Sequence, residues 1–417
     1  MKTTTITKLV TLSLLTATML HATNGDNLIG VGAKARAMGG TGVALGQGAE
    51  SAFINPATIT QIEGTEISFG GTLFMPDIEG GYGAGGQVFF SEKSIADTNI
   101  IPSVSIASQI NENWFLGAGM WGTAGMGTDY RASLNPLFVG MVTNLQLLSF
   151  GVPIAYKTSG FSIGVTPLLQ YGNLDINYQA PVFDMMGNII GSANNGAGLS
   201  QDFGFGWQAG LTYDFGEMGV EGLTLGLNYK SSIEMDYDGQ LTGAMAPFLN
   251  PMAGAADPLF AVTDTLEQPE EFSAGIAYVM GAHSFAFDYK NIKWSDAAGY
   301  GDFGWEDSDV YAFGYQFAQQ DWALRLGYNY ASSAVVENQD PRLNFFNLLG
   351  FPANQEHHYT VGGTYALSDM FSVDLAYVYA PTSEQTFSIV GLPFAPITEI
   401  SNTHSEDSLT FQFNFKF

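Results

Sequence analysis

The stretch 409–417 alternates strictly between apolar and polar side chains, with Leu or Phe at every odd position. A period of two describes a β-strand with one face in an apolar medium and the other in a polar one. The same alternation recurs in 221–237, 321–330 and 371–379. A soluble β-sandwich also alternates, but its outer faces would be rich in Lys and Glu. Here the polar faces carry mostly Ser, Thr, Asn, Gln and Gly, which favours a transmembrane β-barrel.

The composition agrees with a sheet that lies in a membrane. Charged residues make up 13% of the chain, against roughly 25% in soluble domains. So few charges cannot coat a soluble surface of this size. The formal net charge of −27 argues against nucleic acid as a partner, which would require basic patches. We expect the acidic residues in solvated loops.

The one continuous apolar stretch, 9–20, follows Lys2 and Lys8 and precedes Ala22. This arrangement predicts a secretory signal peptide over 1–22, cleaved after Ala22. The stretch is too short for a membrane helix, which needs about 20 apolar residues. The exported chain therefore either leaves the membrane or spans it as a closed barrel, the sheet form that satisfies every backbone group in lipid.

The rest of the chain, 65–417, predicts an all-β fold, a fourteen-stranded antiparallel transmembrane β-barrel. Six short connections alternate with seven long ones, which is the asymmetry between periplasmic turns and extracellular loops in outer-membrane barrels. The candidate strands are 65–76, 99–109, 114–125, 147–158, 160–178, 201–214, 221–237, 271–280, 283–294, 308–318, 321–331, 357–367, 371–380 and 407–417.

The segment 23–64 does not follow the strand pattern. It is rich in Gly and Ala and contains the turn Asn55-Pro56-Ala57. Such a segment either hangs in the periplasm or folds back into the lumen, and its small residues suit packing inside a narrow cylinder.

Several motifs resemble those of the FadL-type long-chain fatty acid and hydrocarbon transporters. The most specific are Gly39-Gly40-Thr41-Gly42-Val43-Ala44 and then Ala52-Phe53-Ile54-Asn55-Pro56-Ala57, which are similar to the hatch signature of that family. Further matches are 114–119, 226–231 and 324–328. The resemblance covers nearly all of the chain after the signal peptide.

The resemblance implies a barrel plugged by an amino-terminal hatch that includes Asn55, Pro56 and Ala57. It also implies capture of a hydrophobic molecule by extracellular loops, a pocket in the lumen, and sideways exit where the third strand kinks inward. Gly122, Gly125 and Gly127 lie in that strand, and glycines weaken strand pairing. Alternatively, these glycines only ease barrel curvature or begin the loop.

Two long connections, 179–200 and 238–270, are unusually apolar, which is typical of a binding surface. Alternatively, these loops pack on themselves and cap the barrel. The predicted ligand-binding residues in them are Phe183, Met185, Met186, Phe248, Leu249, Met252 and Phe260.

By the alternation, Lys230 and Arg325 face the lumen. A buried cation needs an anionic partner. That partner is either the carboxylate of a fatty acid or a lumenal acid such as Glu234, Asp236, Asp288 or Asp374. The sequence alone leaves both possibilities open.

We predict no catalytic residues, no metal site and no cofactor. The histidines outside the signal peptide are scattered near turns and loops, and the adjacent His357 and His358 would point to opposite faces of a strand. The predicted function is passive transport of hydrophobic small molecules across the outer membrane of a Gram-negative bacterium. The alternative is a general porin or a structural or adhesive barrel. The expected partners are the ligand, outer-membrane lipid and lipopolysaccharide, and a monomer is expected.

Overall fold

The computed structural model describes residues 23–183, 189–249 and 257–417. The predicted signal peptide lies outside these residues. The strands, in chain order, are β1 (Thr23–Asn24), β2 (Asn27–Leu28), β3 (Thr65–Ala84), β4 (Gln87–Lys93), β5 (Asn99–Gln109), β6 (Trp114–Met126), β7 (Val142–Gly151), β8 (Ile154–Thr158), β9 (Phe161–Phe183), β10 (Ile189–Asn195), β11 (Ser200–Asp214), β12 (Leu223–Lys230), β13 (Ile233–Asp236), β14 (Thr265–Gln268), β15 (Glu271–Met280), β16 (His283–Ile292), β17 (Ser308–Ala318), β18 (Trp322–Ala331), β19 (His357–Ser368), β20 (Phe371–Ser388) and β21 (Glu399–Lys416).

The helices are short. The α-helices are α1 (Gly32–Ala37), α2 (Leu241–Met245) and α3 (Pro341–Gly350), and 3₁₀ helices cover 49–53, 56–61, 136–138, 215–218, 246–248 and 258–261. Among the described residues, no helix combines the length and apolar character needed to cross a membrane.

The predicted fourteen-stranded antiparallel barrel is confirmed. β7 and β8 share one position in the wall, because both pair with β6 on one side and β9 on the other. The short strands β1, β2, β4 and β10 are attached to the main sheet, whereas β13 and β14 form a separate two-stranded sheet. β21 pairs with β3 from Glu399–Gly83 to Lys416–Glu66 and closes the cylinder.

The two faces of the wall are inverted relative to a soluble protein. On β12, Leu225 and Leu227 are exposed while Asn228 is buried, and on β21 Phe411 is exposed while Gln412 is buried. Apolar side chains therefore point outward, toward lipid, and polar side chains point into a filled bore. The alternation in the sequence predicts this arrangement directly.

One predicted strand, 221–237, is wrong in its second half. β12 ends at Lys230, and β13 leaves the wall to pair with β14 in a separate two-stranded sheet. Ile233, predicted to face outward, is instead fully buried and packs over wall glycines, since a Cβ at Gly204 would lie 2.4 Å from its Cγ2. Glu234 and Asp236, considered as lumenal acids, are exposed.

The long connections fold together over one end of the barrel into a continuous apolar cluster, called the loop cap below. The cap was not predicted to contain α3, whose phenylalanines are completely buried. The large side chains of the loop cap include Phe138, Tyr178, Leu241, Met245, Trp294, Tyr300, Phe303, Trp305, Phe345 and Phe346.

Candidate functional site

The amino-terminal segment (23–64) lies inside the bore, against inward faces on opposite sides of the barrel. α1 packs against β19, β20 and β21, and the 3₁₀ helix 56–61 packs against β8, β9 and β11. Asp288 of the wall accepts hydrogen bonds from the backbone N–H groups of Gly42 and Val43, at 2.7 and 2.9 Å. The segment thus obstructs the axis of the barrel.

The turn Asn55-Pro56-Ala57 docks on the wall at two glycines. The side chain of Asn55 accepts from the N–H of Ala57 at 3.0 Å and donates to the carbonyls of Val43 and Leu227, at 2.6 and 3.2 Å. A Cβ at Gly210 would lie 1.7 Å from Oδ1 of Asn55, and one at Gly164 would lie 2.6 Å from the carbonyl carbon of Pro56. Glycine at both wall positions permits this approach.

The wall is incomplete between β5 and β6. The two strands pair as far as Ser103–Trp121, and no pair beyond it is formed between them in the part of the chain that the structure describes. β5 continues beside β3 to Asn99. A gap therefore opens in the wall beyond Trp121, and we call it the β5–β6 gap.

β6 is irregular at the β5–β6 gap. Its register with β7 shifts by one residue between Gly122 and Ala124, which is a β-bulge. Ala124 then pairs with Asn27 of β2, and the N–H of Gly125 donates to the carbonyl of Asp26 at 3.1 Å. The amino-terminal segment thus forms hydrogen bonds with backbone groups of β6 that do not pair with β5.

The glycines predicted for a kink lie at or near this β-bulge. A Cβ at Gly122 would lie 2.2 Å from Cγ2 of Ile101, across the gap, and Gly125 makes the contact just described. Gly127 follows the end of β6, where a Cβ would lie 2.1 Å from the carbonyl oxygen of Thr143. Gly122 and Gly127 therefore leave little room for a side chain.

A cavity of about 510 Å³ lies at the β5–β6 gap. Ile101 and Pro102 line it from β5, and Gly122 lines it from β6. Its lining also includes Leu28 of the amino-terminal segment and Ile100, which is 80% exposed on the outside of the barrel. The cavity therefore joins the bore to the outer surface of the wall.

A second cavity, of about 70 Å³, lies deeper in the bore and shares Leu28 and Gly122 with the first. Its apolar side is formed by Phe53 and Trp121, whose rings stack with centroids 4.0 Å apart. We call it the inner cavity.

The polar side of the inner cavity carries two lysines around one carboxylate. Nζ of Lys230 lies 3.1 Å from Glu271, and Nζ of Lys290 lies 2.8 Å from the same side chain. Each ammonium has three N–H donors, so donors remain beyond those that Glu271 satisfies. Asp26 and Asp288 act on these lysines at longer range, while accepting hydrogen bonds from other groups. Lys290 was not predicted from the sequence. The signal was present, because Lys290 follows Tyr289 in a predicted strand just as Lys230 follows Tyr229.

Arg325 lies elsewhere in the bore. Its Nη1 donates to the hydroxyl of Thr364 at 2.7 Å, and it lies near Lys34 of α1. Lys34 forms a 3.8 Å ion pair with Asp374. This network links the amino-terminal segment to the wall and does not join the lining of either cavity.

Of the predicted loop residues, Phe248 packs on α3, with its ring centroid 5.0 Å from that of Phe346. Leu249 is partly buried against the loop cap, while Phe260 is 46% exposed. The structure thus packs Phe248 and Leu249 into the cap. Met185, Met186 and Met252 lie outside the described residues, as does the side chain of Phe183.

A narrow apolar pocket of about 20 Å³ lies under the loop cap, lined among others by Leu241, Phe303 and Trp305. Met126 and Leu145 line both this pocket and the cavity at the β5–β6 gap. The two spaces are therefore neighbours.

Gly160-Phe161-Ser162-Ile163-Gly164 matches a nucleophile-elbow pattern, which requires a sharp turn from a strand into a helix. Ser162 instead lies in β9, and its Oγ accepts a hydrogen bond from Thr60 at 2.7 Å. The serine therefore anchors the amino-terminal segment.

Asp26 connects the amino-terminal segment to the loop cap. Its Oδ2 accepts hydrogen bonds from the hydroxyl of Tyr300 and from the amide of Gln268, the latter at 3.2 Å. Burial raises the pKa of this carboxyl to about 6 from its ordinary value of 3.8. The contact is thus sensitive to protonation.

We expect Asp26→Asn to remove a pH dependence of this contact. Because the pKa in the folded state exceeds that in the unfolded state, the stability associated with Asp26 is complete below pH 3.8 and is lost as the pH rises through about 6. The variant should therefore stabilise the segment at neutral pH, by up to about 3 kcal/mol. Hydrogen exchange of residues 23–31, corrected for intrinsic rates, should show protection that falls with pH in the wild type and stays level in the variant. Asp77→Asn, at an exposed carboxyl, is the control, and equal pH slopes in all three proteins would contradict the expectation.

A closed fourteen-stranded barrel with an apolar outer face and a bore filled by its own chain is a transmembrane barrel of the outer-membrane class. The model of the family described as "Outer membrane protein transport protein (OMPP1/FadL/TodX)" matches residues 17–417. The chain belongs to this family. Its place is the outer membrane of a Gram-negative cell, as predicted.

Known relatives are distant but match over most of their length. The chain is 24% identical to the 47 kDa outer membrane protein of Pasteurella multocida (strain Pm70), over 82% of this chain and 83% of that protein. It is 23% identical to the long-chain fatty acid transport protein of Escherichia coli (strain K12), over 82% of this chain and 84% of that protein. The family and this relative are named for transport, which agrees with the expectation that the chain is not an enzyme.

Solved structures share the fold. The structure of the Pseudomonas putida toluene transporter TodX matches with a TM-score of 0.66 at 18% identity, covering 95% of this chain and 100% of that one. A Pseudomonas aeruginosa FadL homologue matches with a TM-score of 0.67 at 15% identity, covering 96% of this chain and 100% of that one.

Proposed function

We propose that the protein carries hydrophobic small molecules past the polar outer layer of the membrane and releases them sideways through the β5–β6 gap. The observation that carries this proposal is the cavity of about 510 Å³ that reaches from Leu28 in the bore to Ile100 outside. The amino-terminal segment acts as the hatch that closes the axial route. Burial of the ligand, about 0.8 kcal/mol per methylene, drives its capture without an energy source.

Capture begins at the loop cap. The route then passes Met126 and Leu145, which border both the cap pocket and the cavity at the β5–β6 gap. Methionine is flexible and polarisable, so that it yields to chains of different shape. Phe260, a predicted contact that is exposed in a loop, would meet a ligand early. Phe183, Met185, Met186 and Met252 remain predicted contacts.

The cargo that fits best is a long-chain fatty acid. The inner cavity supplies an aromatic wall at Phe53 and Trp121 together with spare N–H donors at Lys230 and Lys290. A carboxylate would satisfy these donors and offset the cost of burying charge. A neutral hydrocarbon is the second candidate, favoured by the wholly apolar side chains at Met126 and Leu145.

We expect Lys290→Met to weaken binding of palmitate by about tenfold, the equivalent of roughly 1.4 kcal/mol, and to leave binding of toluene unchanged. Removing the ammonium deletes a partner of the carboxylate but retains apolar volume, and Lys230 still pairs with Glu271. Calorimetric titration of both ligands into the detergent-solubilised protein measures the difference. Lys293→Met, at a loop lysine paired with Asp307, is the matched control. Unchanged palmitate binding would exclude this carboxylate site.

A further inference from the structure

Thr23 begins the described chain inside the barrel and lies among buried polar groups. Its backbone N–H donates to Nε2 of His358 at 3.1 Å, and its hydroxyl donates to Oε1 of Glu406 at 2.5 Å. All three residues are less than 5% exposed. Thr23 and Glu406 also line the cavity at the β5–β6 gap.

Among the described residues, no Lys or Arg forms an ion pair with Glu406, although the charge of Arg36 acts on it at longer range. Its Oε2 is buried and has no hydrogen-bond partner among the described residues. Arg36 directs its two terminal nitrogens to the carbonyl of Ile29 and the hydroxyl of Ser408. A buried carboxylate in this condition is costly unless a positive charge meets it.

His404 does not supply that charge. Its Nε2 lies 3.3 Å from Oε1 of Glu406. Its Nδ1 lies 2.8 Å from the carbonyl oxygen of Pro352, which can only accept, so that Nδ1 carries the ring hydrogen. In the neutral ring, Nε2 then has no hydrogen to donate to Glu406.

We propose that Glu406 and His358 form a binding site for an α-ammonium group, the amino terminus created when the chain is cut between Ala22 and Thr23. Hydrolysis of that one peptide bond adds water, leaves a carboxylate on Ala22 and places an ammonium at the nitrogen of Thr23. One N–H then keeps the bond to His358, and the positive charge meets the free oxygen of Glu406.

Thr23 lines the cavity at the β5–β6 gap, so a chain that begins at Thr23 leaves this space free for a ligand. A volume of about 510 Å³ suits a drug-sized molecule. The bound terminus holds the hairpin of β1 and β2, in which Asn27 pairs with Ala124 of β6. Processing therefore completes the amino-terminal segment where it pairs with β6. This inference does not depend on the identity of the cargo.

The test measures the new terminus directly. Protein extracted from outer membranes should have an intact mass, and an amino-terminal sequence, that begin at Thr23. Its α-amino group should react with an N-hydroxysuccinimide acetate about tenfold more slowly than that of a variant with Gly-Ser inserted after Ala22, since an opposite charge holds an amine protonated. Peptide mass spectrometry reads both rates, with the exposed Lys93 as the internal standard.

Glu406→Gln should raise the acetylation rate of Thr23, while Glu399→Gln, on the same strand, should leave it unchanged. Heat-dependent migration in gels shows whether each variant is folded. If Glu406→Gln does not fold, the Gly-Ser variant alone decides the comparison. A terminus elsewhere, or equal acetylation of the wild type and the Gly-Ser variant, would overturn the proposal.

Discussion

Removal of residues 23–58, with the signal peptide kept, is expected to turn the barrel into a steadily conducting pore. The amino-terminal segment occupies the bore and is held by contacts such as Asp288 with Gly42 and Val43. The wall closes through β21 and β3 without it. A fourteen-stranded cylinder is wide enough to hold water once emptied. Single-channel recording in planar bilayers should show little conductance for the intact protein and a large, stable conductance for the deletion.

A milder variant separates the loss of the hatch from general damage. Asn55→Ala removes the donor to Val43 and Leu227 but keeps the chain length. We expect brief openings rather than a permanent pore, because the remaining contacts still favour the docked segment. Palmitate uptake should also change in the deletion. If the intact protein already conducts steadily, the chain acts as a general porin and the hatch proposal is wrong.

A disulfide across the β5–β6 gap is expected to abolish uptake reversibly. A Cβ at Gly122 would lie 3.6 Å from the Cβ of Ile101, which suits a disulfide. The chain contains no cysteine, so Ile101→Cys with Gly122→Cys creates a single possible bond. In the oxidised form, palmitate uptake should fall to that of cells lacking the protein, and a reductant should restore it.

The control for the disulfide joins two strands that are already paired. Phe317 and Leu324 face each other on β17 and β18, so a bond between cysteines there should leave uptake unchanged in both redox states. Palmitate binding to the oxidised Ile101→Cys, Gly122→Cys protein should persist, because the bridge lies in the wall and leaves the proposed route from the loop cap unchanged. Full uptake with the gap bridged would exclude the sideways route.

Much of the barrel could be predicted from the sequence, because the side-chain pattern of each strand depends only on neighbouring residues. A strand in this wall contacts lipid on one face and a polar bore on the other, so the polarity of each residue indicates the face on which it lies. The alternation in 409–417 and the turns near 111–113 and 281–282 follow from that rule alone. The alternation failed where the chain leaves the wall after Lys230. The apolar–polar pattern continues into β13, so it predicted that Ile233 faces lipid, whereas Ile233 is buried.

The candidate site was less accessible to this reasoning. Asn55 and the glycines of β6 are visible in the sequence, but the β5–β6 gap depends on which strand each backbone group meets, and Asn27 takes a place that β5 leaves free. The contacts of Glu271 with Lys230 and Lys290 likewise depend on tertiary structure, because the three residues lie on three different strands. The packing of α3 beneath Phe248 joins residues about a hundred positions apart.

The sequence by itself determined that this chain forms an antiparallel barrel in the outer membrane, with a segment near its beginning that is not part of the wall. The apolar–polar period of two and the spacing of the turns are properties of neighbouring residues, so they are visible in the sequence without the folded structure. Only the tertiary structure decided that the segment fills the bore, where the wall opens, and which charges meet inside. Those outcomes rest on contacts between residues far apart in the chain, and no local pattern specifies them.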